Sequence, residues 1–235
     1  MSRKKLPDKN FQWTPELAYI IGLITTDGSL SKDGRHIVIV STDLLLLEDC
    51  QKNLPFPTKI TNKLPGSFSK KKTYKIQFSN VQFYKWLLKI GLFPNKTYTV
   101  DVLNIPYKYF RDFLRGHLDG DGDITVYTDY YNTFKNKKYI FKRIYTRFTS
   151  ASQNHILWLR KIIQKLTGIN GHINHWLRKD RIFPQWRLRF AKKESLKLLN
   201  WLYYSNDIPC LKRKRAIFDQ FVVLEQIRSR DKNLN

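Results

Sequence analysis

With 235 residues, 42% of them apolar, the chain is long enough to bury a core and too apolar to be a disordered tail. Lysine and arginine number 43 against 19 acids, a net charge of +24 whose self-repulsion points to a polyanionic partner, nucleic acid before an anionic membrane surface. Two cysteines, Cys50 and Cys210, exclude a disulfide scaffold and a four-cysteine zinc site. The start, MSRKKLPDKN, lacks a signal peptide's apolar run, and no stretch nears the ~18 apolar residues of a membrane span. The expectation is a soluble intracellular protein, cytoplasmic in a prokaryote or within an organelle, that does not engage a membrane.

Residues 1–13 read as an N-terminal arm. Thr14 is placed to cap, and Pro15 to start, an almost wholly apolar helix running into Thr25-Thr26-Asp27-Gly28. A turn at 32–35 and the strand HIVIV at 36–40 follow, then a helix over about 42–54. Strands near 58–63 and 73–79 lead to the helix VQFYKWLLKIG, ending at Gly91. At Pro106 the pattern restarts: a helix runs into Asp119-Gly120-Asp121-Gly122. Two strands joined by a polar turn near Asn136 come next, then a helix closed by Gly168. Strands near 171–178 and 185–190 precede a last helix, KESLKLLNWLYY. The fold class is α+β, two pseudo-symmetric αββαββα repeats at 14–100 and 101–226 with a tail at 227–235.

In register, Gly22 matches Gly116, Asp27 matches Asp121 and Gly28 matches Gly122. Each glycine costs its helix about 1 kcal/mol relative to alanine, a cost that close helix packing would explain. Each aspartate sits at the negative end of a helix dipole. Brought together, two such carboxylates repel unless a cation joins them, and an oxygen-seeking divalent ion, Mg²⁺ beside phosphates, answers that need.

The strands alternate. Tyr74-Lys75-Ile76-Gln77-Phe78 and Trp186-Arg187-Leu188-Arg189-Phe190 each give one face to a core and the other to cations and amides. The residues expected to face nucleic acid are Arg35, Lys59, Thr61, Lys63, Lys75, Gln77, Arg143, Arg147, Asn174, Arg178, Gln185, Arg187 and Arg189, with very few acids among them.

Ile20 to Gly28 and Leu114 to Gly122 resemble the LAGLIDADG motif, and the resemblance covers roughly residues 14–226. Two motifs in one chain imply a single-chain, monomeric homing endonuclease. Its two saddle-shaped antiparallel sheets lie over double-stranded DNA, with the motif helices packed at the centre. The resemblance implies a metal-dependent endodeoxyribonuclease, a hydrolase that cuts both strands at a long site across the minor groove and leaves short 3′ overhangs. It makes Asp27 and Asp121 catalytic metal ligands, turns the carbonyls of Thr26 and Gly120 to the metal, and suggests Lys96 and Lys214 (Lys212 second) as the catalytic basic residue of each half near the active site. Mg²⁺ is the implied cofactor, with Mn²⁺ substituting and Ca²⁺ supporting binding without cleavage. The earlier acid of the motif is Asp119 in the second copy and Thr25 in the first, so the halves are expected to bind metal unequally. The same fold also serves intron RNA maturases and non-cleaving DNA-binding proteins, which makes intron RNA a second partner to weigh. An intein endonuclease fits less well, because no splicing-type Cys or Ser start or His-Asn end is present.

Other signals are weaker. Asp119 to Asp123 resembles the start of an EF-hand loop, but Ile124 and Tyr130 stand where glycine and glutamate are needed. His172 and His175 have no cysteine near them and read as surface residues, and Lys70 to Lys72 as a basic turn. Trp13, Trp158 and Trp201 read as packing.

Overall fold

The computed structural model describes residues 11–63, 72–131, 133, 140–177 and 182–233, with 229–233 by their backbone. The chain divides into two units, Met1–Gly116 and His117–Asn235, with the boundary inside a helix.

In the first unit, α1 (Pro15–Thr26) is capped by Thr14 Oγ1, which accepts from the Leu17 N–H at 3.1 Å. It is buried from Leu17 to Thr25, the environment its all-apolar sequence demands. Strands β1 (Gly28–Leu30) and β2 (His36–Ser41) form a hairpin. Next come α2 (Leu44–Asn53), β3 (Ile60–Lys63), β4 (Thr73–Ser79) and α3 (Val81–Ile90). Gly91 closes α3 at φ 108°, a left-handed cap that suits glycine. The sheet order is β1-β2-β4-β3, antiparallel throughout. Its inner face carries Ile37, Ile39, Ile76 and Phe78, all buried. Phe11 and Trp13, at the end of the expected arm, stack on α3 at 5.0 Å from Phe83 and 4.9 Å from Trp86.

The second motif helix does not begin at Pro106 as an α-helix. Pro106 heads a 3₁₀ turn, Tyr107–Tyr109, and α4 runs from Phe110 to Asp121. The second unit then repeats the order with β5 (Asp123–Asp129), β6 (Phe141–Ser150), α5 (Gln153–Thr167), β7 (His172–Trp176), β8 (Gln185–Phe190) and α6 (Lys192–Leu202). Gly168 caps α5 at φ 73°. The sheet order, β5-β6-β8-β7, copies the first. One further helix, α7 (Lys212–Asn233), continues through the segment read as a tail. Leu211, Lys214, Phe218 and Phe221 turn inward at helical spacing, and α7 packs on β5.

Candidate active site and nucleic-acid interface

The two motif helices end alike. Asp27 is the C-cap of α1 and its N–H donates to Leu23 O; Asp121 is the last residue of α4. Asp27 is half-buried and Asp121 exposed. At Gly28 a Cβ would lie 2.6 Å from the backbone of Ile24, and at Gly122 2.7 Å from Leu118 O. The chain leaves each helix so sharply that only glycine clears the preceding turn, which fixes how the aspartate before it is presented. In the first unit a Cβ on Gly116 would come within 2.0 Å of Tyr19 O and 3.2 Å of Gly22 Cα. That close backbone approach is the one the two motif glycines led us to expect.

Each helix end is met by a buried lysine. Lys96 enters from a 3₁₀ turn after Asn95, which takes the left-handed conformation at φ 59°, and its Nζ donates to Gly28 O. Lys214 enters from the first turn of α7 and donates to Leu118 O and Gly122 O at 2.6 Å and to Asp119 O at 2.8 Å, with Gly120 O at 3.4 Å. The two side chains are 7% and 3% exposed, whereas Lys212 is exposed. Lys214 satisfies carbonyls left over at the C-terminus of α4, Lys96 one just past the end of α1, and each ammonium group offsets the partial negative charge of that helix end. These hydrogen bonds go to the main chain around each aspartate.

The earlier motif position is inward in both copies. Thr25 Oγ1 donates to Ile21 O at 2.7 Å, whereas Asp119, 2% exposed, accepts the Leu211 N–H at 2.7 Å and so ties α7 to the motif helix. Thr26 Oγ1 turns back to Leu23 O at 3.1 Å. Sequence reasoning missed two buried polar pairs, one within α4 and one between α4 and α5. Asp112 and Arg115 form an ion pair at 2.9 Å, 1% and 0% exposed, with Arg115 over the Tyr19 ring. Their i,i+3 spacing was the available signal. His117 and His155 meet at 3.0 Å between Nε2 atoms, and burial, with His155 and Lys214 close by, holds His117 well below its usual pKa.

Among the described residues no group of three or more His, Cys, Asp or Glu side chains converges on a possible metal. The donors at each motif helix end are one carboxylate and main-chain carbonyls, an all-oxygen set suited to a hard divalent ion.

The outer face of the first sheet carries Thr61, Lys63, Lys75 and Gln77, as the alternation required, and Lys59, just before β3, is exposed. Arg35 is exposed in the β1–β2 turn, 3.6 Å from Asp33, whose carboxyl is drawn down to about 2 by the His36 side-chain and main-chain N–H groups. On the second sheet, cross-strand register puts Arg143, Arg147, Asn174, Gln185, Arg187 and Arg189 on one face. Arg178 lies outside the described residues. That face is less free of acids than the sequence suggested. Asp129 holds Arg143 at 2.5 Å and Asp123 holds Arg147 at 2.5 Å, because β5 places each acid on the arginine side of the sheet. His172 and His175 are exposed on β7.

With the geometry in hand, residues 14–91 match the family described as LAGLIDADG-like domain. The meganuclease I-SmaMI, solved bound to uncleaveable DNA, aligns over 94% of this chain and 92% of its own at a TM-score of 0.61 and 13% identity. The chain thus carries a LAGLIDADG-like domain at residues 14–91 and has the fold of LAGLIDADG endonucleases over nearly its whole length. The I-LtrWI homing endonuclease, solved on its target DNA, aligns over 92% of both chains (TM-score 0.58, 13% identity). Full-length DUF199/WhiA from Thermatoga maritima shares the fold over 97% of this chain and 69% of its own (TM-score 0.52, 17% identity). In sequence, the uncharacterized protein MJ0314 of Methanocaldococcus jannaschii is 27% identical over 163 residues, which cover 67% of this chain and 56% of that relative's length. No helix among the described residues is long and apolar enough to cross a membrane.

Proposed function

We propose that this LAGLIDADG protein is a site-specific endonuclease that hydrolyses both strands of duplex DNA, with Asp27 and Asp121 as its metal-binding carboxylates. The observation that carries the reading is the repetition of one device. In each repeat an apolar motif helix ends in Asp-Gly, a glycine forced by backbone contact follows the acid, and a buried lysine ties the main chain around it. Placing a carboxylate at a helix C-terminus works against the dipole, and doing so twice under the same bracing marks a chemical use. The carbonyls of Thr26 and Gly120 complete the proposed donor sets. A bound Mg²⁺ would neutralise phosphate charge and make a bound water more acidic. The protein's own part is to present the two acids on rigid helix ends and to hold the duplex on its cationic sheet faces. Lys96 and Lys214 act on this reading through the main chain, by fixing the Asp-Gly turns.

A non-cleaving DNA-binding role is the second reading, favoured by the fold shared with DUF199/WhiA. The deciding experiment exposes a randomised duplex library to the protein in Mg²⁺ and, separately, in Ca²⁺. Cleaved ends in Mg²⁺ and intact bound duplex in Ca²⁺ support the nuclease; specific binding without cleaved ends in either metal supports the second reading.

A further inference from the structure

The two sheets present different chemistry. On β3 and β4 the outer face of the first carries Lys, Thr, Gln and Ser, with His36, Val38 and Val40 beside them on β2, whereas the second interleaves arginines with aromatic rings. Tyr127 and Tyr145 stack at 5.5 Å and 7°. The Arg187 guanidinium lies 4.2 Å from the Trp176 ring and that of Arg189 lies 5.4 Å from Tyr145. Among the described residues four arginines share this face, and the acids divide them. Arg143 and Arg147 are engaged by Asp129 and Asp123, while Arg187 and Arg189 pair with no carboxylate among the described residues. In the same row, Arg187 Nε and Gln185 Nε2 are buried with no hydrogen-bond acceptor. A guanidinium stacked on a ring is oriented before its partner arrives, and an unanswered donor calls for an acceptor from outside the protein.

Spacing then says what the acceptors are. Gln185, Arg187 and Arg189 alternate along β8 on one face, so neighbours in the row stand about 6.7 Å apart. Two base-pair steps of B-DNA measure about 6.8 Å, and the major groove, roughly 12 Å wide, admits a β-ribbon lengthwise. Arginine pairs bidentately with O6 and N7 of guanine, and glutamine with N6 and N7 of adenine.

We infer that β8 is a purine-reading strand: Gln185, Arg187 and Arg189 take an adenine and two guanines at alternate base pairs, giving the half-site bound by the second unit an A-N-G-N-G pattern. Arg143 and Arg147, occupied by Asp129 and Asp123, serve the outer face as spacers and phosphate neighbours. The aromatic rings Trp176 and Tyr145 are positioning residues for the two reading arginines. This inference rests on the duplex-binding reading above.

The test is selection of bound duplexes from a randomised library in Ca²⁺, sequenced for the native protein and for Arg187→Ala, Arg189→Ala, Arg187→Gln and Trp176→Leu. Melting by circular dichroism confirms that each variant is folded. The native protein is expected to select two guanines separated by one base pair, with an adenine two steps beyond. Each alanine variant should lose about 5- to 150-fold discrimination at one of those guanines and keep the other. Arg187→Gln should change that guanine to adenine, and Trp176→Leu should weaken preference at the Arg187 position alone. Absence of guanines at this spacing, or alanine variants that weaken every sequence equally with preferences intact, overturns the inference. A protein that selects the pattern in Ca²⁺ but never cuts in Mg²⁺ overturns the nuclease and leaves the purine strand standing. One that cuts without the pattern does the reverse, and one that binds no duplex overturns both.

Discussion

Asp27→Asn and Asp121→Asn are each expected to lower cleavage of a selected duplex in Mg²⁺ by more than about 100-fold while duplex affinity in Ca²⁺ holds or rises. The magnitude follows from position. Changes to groups that merely orient a metal's ligands cost about 10- to 100-fold, and these acids are proposed as ligands themselves. Asparagine keeps the size and one oxygen, so the helix cap and the Asp-Gly turn remain, and Asp27 continues to donate its N–H to Leu23 O. Removing a negative charge beside DNA also removes repulsion toward the phosphates, which is why binding should not fall. A single-turnover assay on a supercoiled plasmid adds resolution, because loss of one acid can leave the other able to act and convert cutting into nicking. Cleavage at native rate by either variant removes that residue from the chemistry.

The second large effect is on stability. Asp112→Ala should destabilise the protein by about 3–5 kcal/mol, since it strands the Arg115 guanidinium, 0% exposed, without its carboxylate at 2.9 Å. The chain carries its own control. With Gly22 and Gly116 aligned, the first repeat has Ala18 and Ile21 where the second has Asp112 and Arg115, and both are buried without charge. The double substitution Asp112→Ala with Arg115→Ile copies that solution and should recover most of the loss, because two buried charges leave together. Urea denaturation of the two variants decides the matter. A single variant as stable as the native protein, or a double variant no better than the single, contradicts this account of α4.

How far the sequence disclosed all this depends on how local each signal is. Alternation in β4 and β8 settled which side chains share a face, since a period of two leaves no freedom once one face is buried. Gly91 and Gly168 marked helix ends because they adopt positive φ where other residues are strained. The Asp-Gly device was legible because it occurs twice in register. Contacts between segments were not. Asp123 and Asp129 neutralise Arg147 and Arg143 only through the β5–β6 register, which the sequence does not state, so the second face was read as more freely cationic than it is. His117 and His155 lie on separate helices, and nothing nearby announces their pairing. Helix α7 went unread because its exposed positions are so highly charged that they mask Leu211, Lys214, Phe218 and Phe221 on the buried side. With α7 unread, Lys214 had no helix to sit on, whereas it is a buried donor to main-chain carbonyls around the end of α4.

Metal uptake by the protein on an intact duplex tests the central claim most directly. Mn²⁺ is titrated into the complex formed with a non-hydrolysable duplex, and bound ion is counted by electron paramagnetic resonance for the native protein and for Asp27→Asn/Asp121→Asn. The account predicts tight Mn²⁺ sites in the native complex that vanish in the double variant while the duplex stays bound. Equal uptake by both proteins would contradict it, for the ions would then be held by something other than the two helix-end aspartates.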